Sequence, residues 1–137
     1  MREVFGLALL TGVLVACSPT RSLLVGAPEP SPQIMTQDCN GARVQLTVER
    51  KHDRTSAYTV SAIDLSGAPL TDVTRVVLTF TSMNQNLSTI TMATRPTPNG
   101  HYISTGTVML TPGAWIVEAI VRRTNAVEAV CVFSLQL

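Results

Sequence analysis

Four side chains in the second half of the chain, Met83, Met92, His101 and Met109, carry donors that suit copper. Thioether sulfur favours Cu(I), and imidazole suits copper in either state. His101 and Met109 share parity across an eight-residue span, so on a strand rising about 3.3 Å per residue they meet only if the strand bends. Methionine is also a common filler of irregular gaps in a core, and that second reading applies to each of the three. His52 stands between Lys51 and Asp53 in "ERKHDRTS", a charged loop that reads either as solvated or as a contact for a metal or partner. Signs of catalysis are sparse. Neither histidine lies beside a nucleophile signature, and no serine sits in a Gly-x-Ser-x-Gly elbow. Asp38, Asp64, Asp72 and Glu118 are scattered along the chain, with no pairing of the kind that glycoside hydrolysis uses. A non-enzymatic protein is expected.

The three cysteines, Cys17, Cys39 and Cys131, carry the other chemistry. An apolar run from Val4 to Ala16 precedes the first of them. It is shorter than the roughly 20 apolar residues that a spanning helix needs, and its length fits the apolar region of a secretory signal. It ends Leu14-Val15-Ala16-Cys17, which resembles the lipobox of bacterial lipoproteins. The resemblance implies cleavage after residue 16 and lipidation of the Cys17 thiol. An ordinary secretory signal and an uncleaved anchor are the alternatives. Two or more acyl chains hold a protein stably on a membrane without spanning it, so the expected location is the cell membrane, facing the periplasm or the exterior. With Cys17 lipidated, Cys39 and Cys131 remain as a pair. In an oxidising compartment an even remainder reads as a disulfide. The loop it encloses is long, and loop-closure entropy predicts roughly 4–5 kcal/mol of stabilisation. Two free thiols, one of them a metal ligand, are the other reading.

Elements must position these groups, and the sequence divides into three parts. Residues 1–16 are the signal. Residues 17–37 form a tether, with Pro19, Pro28, Pro30 and Pro32 spaced among small and polar residues; such linkers are extended and semi-rigid, at about 3.1 Å per residue. Residues 38–137 make one domain of about 100 residues, a common size. Within it, apolar and polar residues alternate. Val44, Leu46 and Val48 share a face, as do Tyr58, Val60 and Ala62; Val76, Leu78 and Phe80; Trp115, Val117, Ala119 and Val121; and Ala129, Cys131, Phe133 and Leu135. "LSTITMAT" and "HYISTGTVML" add two runs rich in β-branched residues. Period-two alternation marks half-buried strands, and "SGAP", "TPNG" and "TPGAW" supply Gly and Pro at the reversals. Seven short strands with no helical period predict an all-β protein, an antiparallel immunoglobulin-like β-sandwich. Trp115 is expected to fill its core alone. A net charge of +1, from 10 basic and 9 acidic residues, offers no basic stripe for nucleic acid.

"YTVSAIDLSGAPLTDVTRVVLTFTS" followed by "NGHYISTGTVMLTPGAWIVEAIVRR" resembles the YtkA-like and CopD C-terminal domains, bacterial extracytoplasmic immunoglobulin-like modules. The matching positions include Asp64, Gly67, Pro69, Gly100, Tyr102, Gly106, Gly113, Trp115 and Arg122-Arg123, within about residues 57–123. The resemblance implies a sandwich fold and an association with copper transport or envelope redox assembly, with copper as the cofactor and Met83, Met92, His101 and Met109 as candidate ligands. It leaves two expectations for function. One is a lipid-anchored binding module that handles copper. The other is a metal-free envelope adaptor or assembly protein that acts through protein–protein contacts. Arg122-Arg123, after a strand with apolar residues on both faces, read either as a strand end meeting solvent or as a docking rim.

Overall fold

The computed structural model describes residues 28, 30–84, 89–104 and 110–137. Cys17, the signal, most of the tether and Met109 lie outside them. The alternation seen in the sequence becomes eight antiparallel strands and no helix: β1 Gln33–Cys39, β2 Ala42–Arg50, β3 Ser56–Asp64, β4 Val73–Ser82, β5 Thr89–Pro96, β6 His101–Ser104, β7 Ala114–Arg123 and β8 Ala129–Gln136.

The strands follow the order β1-β2-β3-β6-β5-β4-β7-β8. With β1 set aside, β2, β3, β6 and β5 take the places of A, B, E and D in an immunoglobulin constant-type domain, and β4, β7 and β8 take those of C, F and G. The expected sandwich is therefore present with its seven strands, plus one. The eighth is β1, in which residues 33 to 37, expected in the tether, pair with β2 from Gln33↔Val48 to Cys39↔Ala42. Ladder hydrogen bonds hold this strand, because its inward positions (Gln33, Met35, Gln37 and Cys39) supply little apolar surface.

The two layers are joined along one side by the β4–β5 ladder, Val77↔Ala93 to Thr81↔Thr89. The other side would be left open, with β1 and β8 as its edges. Successive antiparallel pairings make those edges run in opposite directions, and covalent and side-chain links join them. Cys39 and Cys131 form a disulfide with a Cα separation of 5.7 Å, within the usual range. At the opposite end of the seam Gln33 Nε2 donates to the Gln136 carbonyl at 3.1 Å, and Arg50 donates to the same oxygen at 2.6 Å. Beyond the disulfide, Asn40 Nδ2 donates to the Glu128 carbonyl at 2.9 Å. Open edges invite pairing with other chains, and these links occupy both of them.

The core lies between the layers. Ala42, Val44 and Leu46 on β2 are fully buried, as are Val117, Ala119 and Val121 on β7. Trp115 does not fill this space alone. It is buried near one end, where Nε1 donates to the Thr111 carbonyl at 2.9 Å. Tyr58 and Phe80 share the space, with ring centroids 4.7 Å apart and planes tilted by 58°, a favourable aromatic arrangement. The bridge also differs from that of antibody domains, where B is tied to F through the core. Here the added N-terminal strand is tied to the last one.

Replacing both Cys39 and Cys131 by serine is expected to lower the unfolding free energy by roughly 2–5 kcal/mol, measured as a shift in the urea midpoint of the oxidised protein against the double variant.

Candidate functional site

The described copper candidates do not converge. Met92 lies in the middle of β5 opposite Leu78, its side chain buried in the core. Its sulfur accepts a hydrogen bond from the buried Ser104 hydroxyl at 3.7 Å. Met83 follows the end of β4, and its amide donates to the Ala114 carbonyl. The four residues from Leu78 to Ser82 span about 13 Å, so Met83 lies beyond that distance from Met92 along the strand. His101 begins β6 at the other end of the sandwich, where its carbonyl accepts from the Thr97 amide. Thr97 is five residues past Met92, about 16 Å along β5. Met83 and His101 are exposed and Met92 is buried. Met109 lies outside the described residues. Among those residues no cluster of three His, Cys, Asp or Glu side chains could hold a metal ion.

The scattered carboxylates have structural partners. Asp64 Oδ1 accepts from the Ser66 amide and hydroxyl and from the Ala68 amide. These bonds, led by the Ser66 hydroxyl, hold its pKa below the usual range. They close the "SGAP" turn, where Gly67 takes a φ of +96° that a side chain would resist. This is the capping role that an aspartate before such a turn suggests. Asp38 pairs with Arg43 at 2.7 Å on the surface. Arg122 and Arg123 part company: Arg122 points outward to Glu128 at 3.0 Å, whereas Arg123 turns inward to Asp72 at 3.0 Å, both of the latter side chains less than one-fifth exposed. The Asp72 carbonyl accepts from the Thr124 amide, so this pair locks the β3–β4 connection onto the end of β7.

A concave site does form at the opposite end, the end where the chain enters the domain. It is a cleft of about 500 Å³. Arg50, Lys51 and Arg54, from the end of β2 and the hairpin that follows, give one wall its positive charge. Leu110, Pro112 and Leu137 form an apolar wall, and Pro30 lies at the mouth. The hairpin is shaped by its own residues. Lys51 and Thr55 are joined through the backbone at 2.9 Å, and Asp53 Oδ1 accepts from the Thr55 amide. Arg54 takes a φ of +65° to complete the reversal. Asp53 is thus turned to its own loop, where the Thr55 hydroxyl above all lowers its pKa. The apolar wall is held by reciprocal backbone bonds between Gly113 and Leu137 at 2.9 and 3.0 Å. Gly113 has a φ of +138°, and a Cβ there would strike the Asn84 side chain.

Beneath the cleft lies Tyr58. Its hydroxyl is the one buried side-chain polar atom without a hydrogen-bond partner among the described residues. Burial raises its pKa, while Ser56 and Arg50, both at the cleft, act in the opposite sense. Sequence reading marks "ERKHDRTS" as a charged loop, either solvated or a contact for a metal or partner. The apolar wall comes from residues 110–137, far away in the chain, so no local pattern joins the halves.

The Asp72 carboxyl is held below the usual carboxylate range, first by the Arg123 hydrogen bond and then by its charge, against desolvation. A carboxylate whose folded pKa is depressed stabilises the fold above its unfolded value of about 3.9 and loses that contribution as pH falls through the folded pKa. Asp72→Asn is therefore expected to reduce stability at neutral pH and to flatten its decline below about pH 4, read as the urea midpoint against pH.

Comparison with known proteins finds no matching family model, no matching curated protein and no matching solved structure.

Proposed function

We propose that this chain is an exported lipoprotein whose β-sandwich, held at a membrane surface by Cys17, works as a metal-free adaptor or assembly protein through contacts with other proteins of the envelope. The observation that carries the reading is the Cys39–Cys131 pair. A disulfide across the seam suits an oxidising compartment. It also leaves Cys17, at the end of the apolar run, as the one cysteine not used in the domain.

Two further features support a binding role without metal. The soft donors proposed for copper lie at the two ends and in the core, so the described three cannot share one ion. Copper handling, the other function implied by the YtkA-like resemblance, would need them together. The outer face of the second layer also carries an aliphatic row. Val77, Ile120 and Val130 lie side by side across β4, β7 and β8; Val77 is buried and Ile120 half-buried, while Val130 and the next outward residue of β8, Val132, are 41% and 45% exposed. Apolar residues grouped on a surface favour protein contacts.

Intact-mass spectrometry of the protein extracted from membranes, with and without added copper, tests both parts of the reading. The expected mass lacks residues 1–16, carries added acyl chains and shows no stoichiometric copper adduct. A chain that keeps residues 1–16, or that begins at Cys17 with no lipid, contradicts the anchor. Copper uptake that disappears on changing Met83, Met92 and His101 to alanine contradicts the adaptor.

A further inference from the structure

We infer that the basic cleft at the chain-entry end binds the phosphate headgroups of anionic phospholipids and docks the sandwich end-on against the bilayer that anchors it. The inference rests on the lipid-anchor reading above and adds a specific surface to it.

Four observations converge on this cleft. The first is charge. Arg50, Lys51 and Arg54 stand along one wall. Arg50 donates to the Gln136 carbonyl, and Asp53 Oδ1 accepts from the Thr55 amide and hydroxyl, with the Lys51 charge adding a weaker attraction. No ion pair ties Lys51 or Arg54 to a carboxylate among the described residues. The second is placement. Pro30 lies at the mouth of the cleft and β1 begins three residues later. A chain anchored at Cys17 therefore enters β1 at the end of the sandwich that holds the cleft. The third is composition. An apolar wall of Leu110, Pro112 and Leu137 faces the cations. This combination suits the boundary where phosphates meet glycerol and acyl groups; a free inorganic anion has no use for the apolar half. The fourth is the buried Tyr58 hydroxyl, whose polar neighbours Ser56 and Arg50 both line the cleft.

Each lysine or arginine close to an anionic leaflet contributes about 1 kcal/mol, and the effect fades within a screening length. Three cations at one end give the tethered domain a preferred orientation. The far end, with its turns at Asn40-Gly41 and 97–100, then faces away from the membrane, and the aliphatic row on the sandwich's side stays clear of the lipid.

The chain contains a single lysine, Lys51, which gives the test a residue-specific probe. The full chain is placed in vesicles of phosphatidylcholine, with or without phosphatidylglycerol, and treated with a water-soluble amine-acylating reagent. Peptide mapping then reads modification at Lys51. A second form carries Val127→Lys, at an exposed site in the β7–β8 loop at the other end, as an internal control. Lys51 is expected to react about fivefold more slowly when phosphatidylglycerol is present, with the introduced lysine unaffected. High salt and Arg54→Gln should each diminish the protection. Equal Lys51 rates in both vesicles, or equal slowing at both lysines, overturn the inference. Vesicle retention is read separately: a chain lost from all vesicles contradicts the anchor, and slowing of Lys51 in that case leaves the cleft as a lipid site without it.

Discussion

The structure depends on how the side of the sandwich opposite the β4–β5 ladder is held shut. On that side β1 and β8 meet without a backbone ladder. A disulfide near one end and donations to the Gln136 carbonyl at the other take the ladder's place. The seam faces a core built from Val, Leu and aromatic side chains, to which β8 adds Ala129, Cys131, Phe133 and Leu135 while β1 adds only the partly buried Met35 and Cys39. β1 in particular has polar inward positions at Gln33 and Gln37. Its position therefore follows from pairing with β2 and from the covalent link.

The same constraint orders both ends of the molecule. Near the disulfide, Asn40 reaches the Glu128 carbonyl, and the Asp72–Arg123 pair fastens the β3–β4 connection to the end of β7. At the other end Arg50 holds the last residues of β8 against β2, and Leu137 bonds to Gly113. The cleft forms there because three segments distant in sequence stop at one level: the β2–β3 hairpin, the start of β7 and the end of β8. One end holds the start of β1 and three cationic side chains, and the side carries the exposed Val130 and Val132.

Much of the fold was legible in the sequence. Alternation at Val44-Leu46-Val48 and at Ala129-Cys131-Phe133-Leu135 predicted the strands because each has one face in the core and one in water, and that asymmetry is what period two records. Asp64 before "SGAP" was legible for a similar reason, since capping bonds are local. β1 was not, because its segment holds prolines before it and polar residues on its inner face, and its support comes from β2 and from Cys131. Trp115 stands out by its size, yet it shares the core with Tyr58 and Phe80, whose contact joins two separate strands. Residue type names a donor, whereas a metal site is a distance, and the described candidates Met83, Met92 and His101 fall at three levels of the sandwich. The cleft was invisible for the same cause, its cations and its apolar wall being some 60 residues apart.

Hydrogen exchange followed by mass spectrometry, with and without a reductant, tests the seam most directly. If the disulfide holds the sandwich closed, reduction should speed exchange in β1 and β8 first and most, with β3 and β4 remaining protected. Uniform acceleration across all eight strands, or none in β1 and β8, would contradict the account.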